Sequence, residues 1–280
     1  MGRLSILFTW GRLQVYRKKK PARNILPERI PMTKVQDHTS VDSQEIEKFS
    51  AIAAEWWDPA GKFRPLHQLN PTRIGHIRDR AAAHFGRDPL AERPLAGLSV
   101  LDIGCGGGLL GEPLTRLGAE VTAIDAAEKN IKIAGTHADE MGLKINYRHA
   151  TAEDLATEGK TFDVVLCMEV IEHVADVNSF SKAACALVKP GGIIVGSTLN
   201  RTPKSYLMAI LGAEYVLRWL PRGTHDWKKF LRPSEFAGLL RAQGMEIEDI
   251  SGMVYNPVNG KWRLSRRNLD VSYLILAAKP

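Results

Sequence analysis

Apolar positions along the chain change their spacing several times, and each change predicts an element. Behind Asp42, with Ser43 as a candidate N-cap, Ile46, Phe49, Ile52 and Ala53 recur at helical spacing up to Trp56-Trp57. Asp58-Pro59-Ala60-Gly61 breaks that helix, and after a loop through Pro65 and Pro71 a second helix is expected from about Thr72 to Phe85. Short apolar runs then alternate with longer amphipathic stretches. Residues 99–103, 120–124, 145–149, 162–167 and 193–197 read as strands, and 109–117, 128–141 and 179–188 as helices. Strands separated by helices need crossover connections, which means a parallel sheet. Two more β segments, near 245–250 and 271–277, close the chain with no helix between them and read as an antiparallel pair at the sheet edge. The pattern predicts a Rossmann-like α/β fold, its mostly parallel seven-stranded sheet ending in that pair.

Composition narrows the class further. With 44% hydrophobic and 25% charged residues in 280, the chain is neither disordered nor a small disulfide scaffold. Three cysteines, Cys105, Cys167 and Cys185, are odd in number and lack metal-type spacing, as expected of free thiols in a reducing compartment. No apolar run reaches the ~20 residues that span a bilayer. The formal charge of +7 is misleading until divided: residues 1–31 hold eight basic side chains against Glu28, leaving 30 basic and 30 acidic residues in 32–280. The body is neutral, so no nucleic-acid partner is expected. Residues 1–40 are expected to form a basic, disordered leader. A targeting or membrane-surface arm is the alternative reading, as is a translation start at Met32.

Chemistry concentrates first where the first strand turns into a helix, at Asp102-Ile103-Gly104-Cys105-Gly106-Gly107-Gly108. Glycines there let the backbone approach a ligand closely. Asp125 ends the next strand, 21 residues beyond Gly104, where a carboxylate can accept from both hydroxyls of a ribose. A dinucleotide site wants G-x-G-x-x-G with a pyrophosphate on the helix N-terminus, but here Leu109 stands where the third glycine would be. Asp102 would repel a pyrophosphate and can hold an amine or a sulfonium. The combination fits S-adenosylmethionine, a zwitterion without phosphate.

After the fourth strand comes Met168-Glu169-Val170-Ile171-Glu172-His173, at a strand's carboxyl end beside the cofactor cleft. If a helical turn starts at Glu169, then Glu172 and His173 share its face. Two carboxylates and an imidazole so placed can ligate Mg²⁺ or Mn²⁺, with Zn²⁺ or Co²⁺ open to the imidazole. Acids are also favoured at a helix N-terminus with no metal at all. Met168 reads as a wall of the adenosine pocket.

Three other features invite a role. Trp56 and Trp57 suit core or lid packing, or a cover over an aromatic substrate. Arg73 is either a solvated surface residue or a partner for the cofactor's carboxylate. The excursion 200–232 has an apolar centre, Ser205–Leu220, broken only by Glu214 and Arg218 and flanked by Arg201, Lys204, Arg222, Lys228 and Lys229. It suits a membrane interface, or a buried helix over the active site.

FSAIAAEWWDPAGKFRPLHQLNPTRIGHIRDR, LDIGCGGGLL, CMEVIEH, STLNRTPKSYLMAILGAEYVLRWLPRGTHDWKKF and the near-terminal YNP together resemble the ubiquinone-biosynthesis O-methyltransferases, over about residues 42–280. The resemblance implies a class I S-adenosylmethionine-dependent methyltransferase domain over 41–280, with an N-terminal helical cap (41–97) and an inserted amphipathic segment (200–232). It implies methylation of the hydroxyl of 2-polyprenyl-6-hydroxyphenol and of 3-demethylubiquinol. Another small phenol or catechol is the nearest alternative; a nicotinamide oxidoreductase and a non-catalytic lipid-bound scaffold are more distant ones. The cofactor is expected on Arg73, Gly104, Asp125 and Met168, and a divalent cation, Mg²⁺ first, at Glu169, Glu172 and His173. Direct proton abstraction by His173 is the variant. Implied partners are a polyprenylated phenol or quinol, the membrane surface through 200–232, and other enzymes of the ubiquinone pathway, for a cytoplasmic protein peripherally bound to the inner membrane.

Overall fold

The computed structural model describes residues 40–208, 226–256 and 259–280. Residues 1–39 of the expected leader, the Glu214–Arg218 pair of the insertion and the proline of YNP lie outside them. Two helices come first, α1 (Ser43–Ile52) and α2 (Arg64–His84), joined by a 3₁₀ turn at Ala53–Glu55. Asp42, not Ser43, caps α1, its carboxylate accepting from the Gln44 N–H. Helix α2 starts eight residues before the expected Thr72. Pro65 sits in its first turn, where no N–H is needed, and Pro71 is carried inside it.

The alternation that follows is β1 (Ser99–Ile103), α3 (Gly111–Arg116), β2 (Glu120–Asp125), α4 (Glu128–Glu140), β3 (Asn146–His149), α5 (Ala152–Thr157), β4 (Phe162–Met168), α6 (Val177–Ala186) and β5 (Val188–Leu199). A helical turn α7 (Pro203–Ser205), then α8 (Pro233–Arg241), β6 (Glu246–Asn256), β7 (Lys261–Ser265) and β8 (Ser272–Ala278) complete the order. The sheet runs β3-β2-β1-β4-β5-β8-β6-β7, parallel from β3 to β5 and antiparallel beyond. It has eight strands where seven were expected. The two late strands do pair with each other, but β8 is inserted between β5 and β6, and β7 takes the edge.

Period-two alternation divides the core into two layers. Leu101, Ile103, Val165, Cys167 and Ile194 point to the face covered by Leu155, Phe180, Phe236 and Leu240 of α5, α6 and α8. Val100, Val121, Val164, Leu166 and Val195 point the other way, onto Leu69, Ile77 and Leu114 of α2 and α3. Strand order reverses between β1 and β4, so a crevice opens at their carboxyl ends. Ile103 is in register with both Ile124 and Cys167, and Met168 with Ser197. That brings the glycine loop, Asp125, Glu169 and Ser197 to one edge of the sheet.

Candidate active site

The chain turns as soon as it leaves β1. Gly104 has φ +69°, and its N–H and that of Cys105 both donate to the Ile124 carbonyl, at 2.8 and 3.0 Å. A Cβ on Gly104 would stand 2.5 Å from a Val170 methyl, so the loops after β1 and β4 touch. At Gly106 (φ +54°) a Cβ would meet the Trp56 ring at 2.4 Å. Trp56 is thus a wall of the glycine loop. Its ring stacks on Phe63 at 3.6 Å between centroids, and its Nε1 donates to Asn130 Oδ1 at 2.9 Å. Asn130 Nδ2 donates in turn to Asp125 Oδ1 at 3.2 Å. Trp57 Nε1 donates to the Gly107 carbonyl at 2.9 Å, while its ring stacks on His137. Both tryptophans pack on the glycine loop, and Trp56 also borders the cleft described below.

Asp125 accepts from the N–H groups of Gly106 (2.9 Å) and Ala127 (2.7 Å) as well as from Asn130. Burial raises its pKa against the pull of those bonds. Asp102, fully buried at the end of β1, has an Oδ2 with no hydrogen-bond partner. Burial, then the nearby charge of Asp125, pushes its pKa up to about 7. An arriving cation would favour its ionised form.

Around β4 the expected helical turn does not form. Glu169 takes a left-handed conformation (φ +57°), and a 3₁₀ turn over Ile171–His173 follows. Glu169 Oε1 accepts from Arg73 Nη2 at 2.5 Å and from Ser197 Oγ at 2.7 Å. Glu172 is buried; its Oε2 accepts from Thr198 Oγ1 at 2.8 Å and its Oε1 has no partner. Its pKa stands well above the usual carboxylate range, first through burial and then through repulsion by Glu169. His173 Nδ1 lies 3.0 Å from Glu45 Oε2 of α1, with Phe49 edge-on to its ring at 5.1 Å. For Glu45, burial raises the pKa, but hydrogen bonds from His173 and Lys48 outweigh it and bring the value to about 2.

Glu169, Glu172 and His173 therefore do not form a joint ligand set in this arrangement. The left-handed residue and the 3₁₀ turn send the three side chains to Arg73, Thr198 and Glu45. Among the described residues no three His, Cys, Asp or Glu side chains converge to hold a metal ion.

A cleft of about 470 Å³ opens at this edge, lined among others by Arg73, Asp102, Gly104, Asp125, Met168, Glu169 and His173. All four residues expected on the cofactor border it; Glu172 stands behind its wall. Arg73 is not solvated: it is buried in α2, with a partnerless Nε beside its ion pair to Glu169. Leu199, Met253, Tyr255 and Trp262 give the far side of the cleft an apolar lining. Sequence reasoning missed Glu45, Asn130, Ser197 and Thr198. Asn130, in the first turn of the helix after Asp125, was legible by proximity; the other three carried no local signal.

The described flanks of the insertion are tied into the fold. Lys204 pairs with Asp270 and Lys229 with Asp42, both at 2.9 Å, and Arg201 pairs with Glu235. Tyr206, Leu207 and Met208 are exposed. Among the described residues no helix is long and apolar enough to cross a membrane.

A parallel sheet with its switch point beside a glycine loop, and an acid closing the second strand, defines the class I S-adenosylmethionine-dependent methyltransferase fold. The methyltransferase-domain family model matches residues 101–196. Among solved structures, a possible histamine N-methyltransferase from Thermotoga maritima superimposes with a TM-score of 0.55 at 16% identity, over 84% of this chain and 100% of that one. Magnesium protoporphyrin IX methyltransferase from Synechocystis PCC 6803, with bound SAH, gives 0.51 at 23% identity, over 75% and 85%. Ubiquinone biosynthesis O-methyltransferases are much nearer in sequence: that of Ruegeria pomeroyi is 58% identical over 241 residues, 86% of this chain and 97% of the relative. That of Sinorhizobium medicae is 55% identical over 242 residues, 86% and 97%. The chain belongs to the ubiquinone biosynthesis O-methyltransferases.

Proposed function

We propose that the protein transfers the methyl group of S-adenosylmethionine to a hydroxyl oxygen of 2-polyprenyl-6-hydroxyphenol and of 3-demethylubiquinol. The cofactor half rests on one observation above all: a half-buried carboxylate, Asp125, fastened to the N–H of the glycine loop at the cleft wall. In this reading Asp125 accepts from the ribose hydroxyls, Gly104 admits the ligand close to backbone, and Met168 walls the adenosine. Asp102 answers the positive end of the cofactor. The partnerless Nε of Arg73 supports a role in binding its carboxylate. The substrate half rests on the relatives' shared name and on the apolar far side of the cleft.

Methyl transfer from a sulfonium is an in-line displacement. The O–CH₃ bond forms as the CH₃–S bond breaks, its electron pair passes to sulfur, and the hydroxyl loses its proton. A phenol with a pKa near ~10 is a weak nucleophile at neutral pH, so the protein must align the oxygen and accept that proton. His173 borders the cleft and is the acceptor in this reading.

The partnerless, repelled Oε1 of Glu172 is one donor that suits a divalent cation. On that alternative route Glu169, Glu172 and His173 would hold the ion, and acidification of the substrate by the ion would replace proton abstraction by His173. Glu169 and His173 must then turn from their present partners. Membrane contact through 200–232 is also part of the proposal: deletion of residues 205–220 is expected to abolish binding to anionic liposomes, and retention of binding contradicts it.

The test is calorimetry with S-adenosylmethionine, paired with methylation of a short-chain demethylubiquinol, on the wild type and on Asp125→Ala. Loss of two charged hydrogen bonds is expected to weaken cofactor binding by at least roughly 100-fold. Wild-type affinity in Asp125→Ala refutes the assignment.

A further inference from the structure

We propose that Glu45, from the N-terminal helix, is the positioning residue for His173, so that docking of α1 completes the active site. The proposal rests on the reading of His173 as the group facing the reacting hydroxyl. The two residues are 128 positions apart in the chain, yet Glu45 Oε2 lies 3.0 Å from His173 Nδ1. The contact is shielded, with both side chains close to nine-tenths buried. It is also braced: the Phe49 ring stands edge-on to the imidazole, interplanar angle 89°, one helical turn beyond Glu45 on α1. Both residues border the cleft. Elsewhere α1 is anchored by Lys129, whose Nζ donates to the Ser50 carbonyl at 2.9 Å, and by a hydrogen bond from the Ala175 N–H to the Ser40 carbonyl; Lys229 holds the cap carboxylate of Asp42 and also lies 3.9 Å from Glu45 Oε1.

The chemistry follows from imidazole itself. The hydrogen bond made by one ring nitrogen fixes the tautomer and the plane of the ring, and so decides what the other nitrogen presents. A carboxylate at Nδ1 holds the proton there and leaves Nε2 as the acceptor nitrogen. His173 sits at the end of a single 3₁₀ turn, Ile171–His173, which gives its side chain little support of its own. Glu45 supplies that support from the opposite wall. A cap helix that merely covered the cleft would need no buried carboxylate at this point.

The test uses the full chain and four variants: Glu45→Gln, Lys129→Ala, His173→Ala, and the Glu45→Gln/His173→Ala double. Glu45→Gln is expected to lower kcat for short-chain demethylubiquinol roughly 10- to 100-fold, with the Kd for S-adenosylmethionine within about twofold of wild type. Lys129→Ala loosens the same helix at Ser50 without touching Glu45 or His173, and is expected to leave kcat within about twofold. In the His173→Ala background, Glu45→Gln should cost nothing more. Imidazole ¹⁵N spectra provide a readout independent of turnover, with the Nδ1–H tautomer of His173 dominant in the wild type and depleted in Glu45→Gln. Equal losses in Glu45→Gln and Lys129→Ala, or an undiminished Glu45→Gln loss without His173, overturn the proposal. A deficient His173→Ala beside a silent Glu45→Gln overturns it alone. A silent His173→Ala overturns the underlying reading of His173 as well.

Discussion

Gly106→Ala gives the most demanding check of the cofactor loop, because two separate costs fall on one methyl group. Gly106 sits at φ +54°, and an alanine held there costs about 1–2 kcal/mol of backbone strain. The new Cβ would also lie 2.4 Å from the Trp56 ring, about 1 Å inside ordinary contact, so the indole must yield. Its ring is pinned by the Phe63 stack and the Asn130 hydrogen bond, and such overpacking costs about 1–3 kcal/mol. The total is about 2–5 kcal/mol, read as a loss of stability in urea denaturation. Because Asn130 also holds Asp125, cofactor affinity should fall at least tenfold by calorimetry. Adding Trp56→Ala removes the obstacle but not the strain, so Gly106→Ala should cost about 1–3 kcal/mol less in that background than in the wild type. Equal costs in the two backgrounds, or a wild-type stability for Gly106→Ala, would refute the reasoning.

Three other outcomes follow from the site. Asp102 carries a folded pKa of about 7 against 3.8 unfolded, so the native state keeps a proton that the unfolded chain has released between those values. Its contribution is fully present below pH 3.8 and fades as pH rises to about 7, of the order of 4 kcal/mol. Asp102→Asn should remove that part of the slope in denaturation curves recorded across the window, and an unchanged difference between wild type and variant would contradict it. Arg73→Met leaves the Glu169 carboxylate unpaired in a largely buried position, and should cost about 3 kcal/mol in urea with weakened cofactor binding; a silent variant argues against the pair. The cation route predicts that chelator lowers turnover and abolishes a Mg²⁺ binding isotherm that Glu172→Gln also lacks. Full activity with no isotherm would remove the cation from the account.

How far the sequence disclosed this molecule depended on whether the signal was local. Strands β1, β2, β4 and β5 announced themselves because each alternates between two buried faces. Helix α2 was cut short on paper because Pro65 and Pro71 read as loop, yet one occupies a first turn and the other is tolerated inside a long helix packed on the core. Strand β7, Lys-Trp-Arg-Leu-Ser, carries two exposed charges and lies on the sheet edge, so it had no continuous apolar run to betray it. Helix α5, at six residues, is too short to establish a period. At the site, Gly104, Asp125 and Met168 were legible because strand ends in such a sheet have a fixed chemistry. The turn at Glu169 was not, since a left-handed non-glycine residue leaves no trace in composition. The pairs Arg73–Glu169 and Glu45–His173 join positions 96 and 128 apart, and only tertiary packing brings them together.

The most direct measurement supplies the purified protein with methyl-labelled S-adenosylmethionine and a short-chain demethylubiquinol, and locates the label in the product by mass spectrometry. The account predicts the labelled methyl on the ring hydroxyl oxygen, with S-adenosylhomocysteine formed in equal amount and both products falling by at least roughly tenfold in Asp125→Ala at sub-saturating cofactor. Cofactor binding without label on that oxygen, or full turnover by Asp125→Ala, would contradict it.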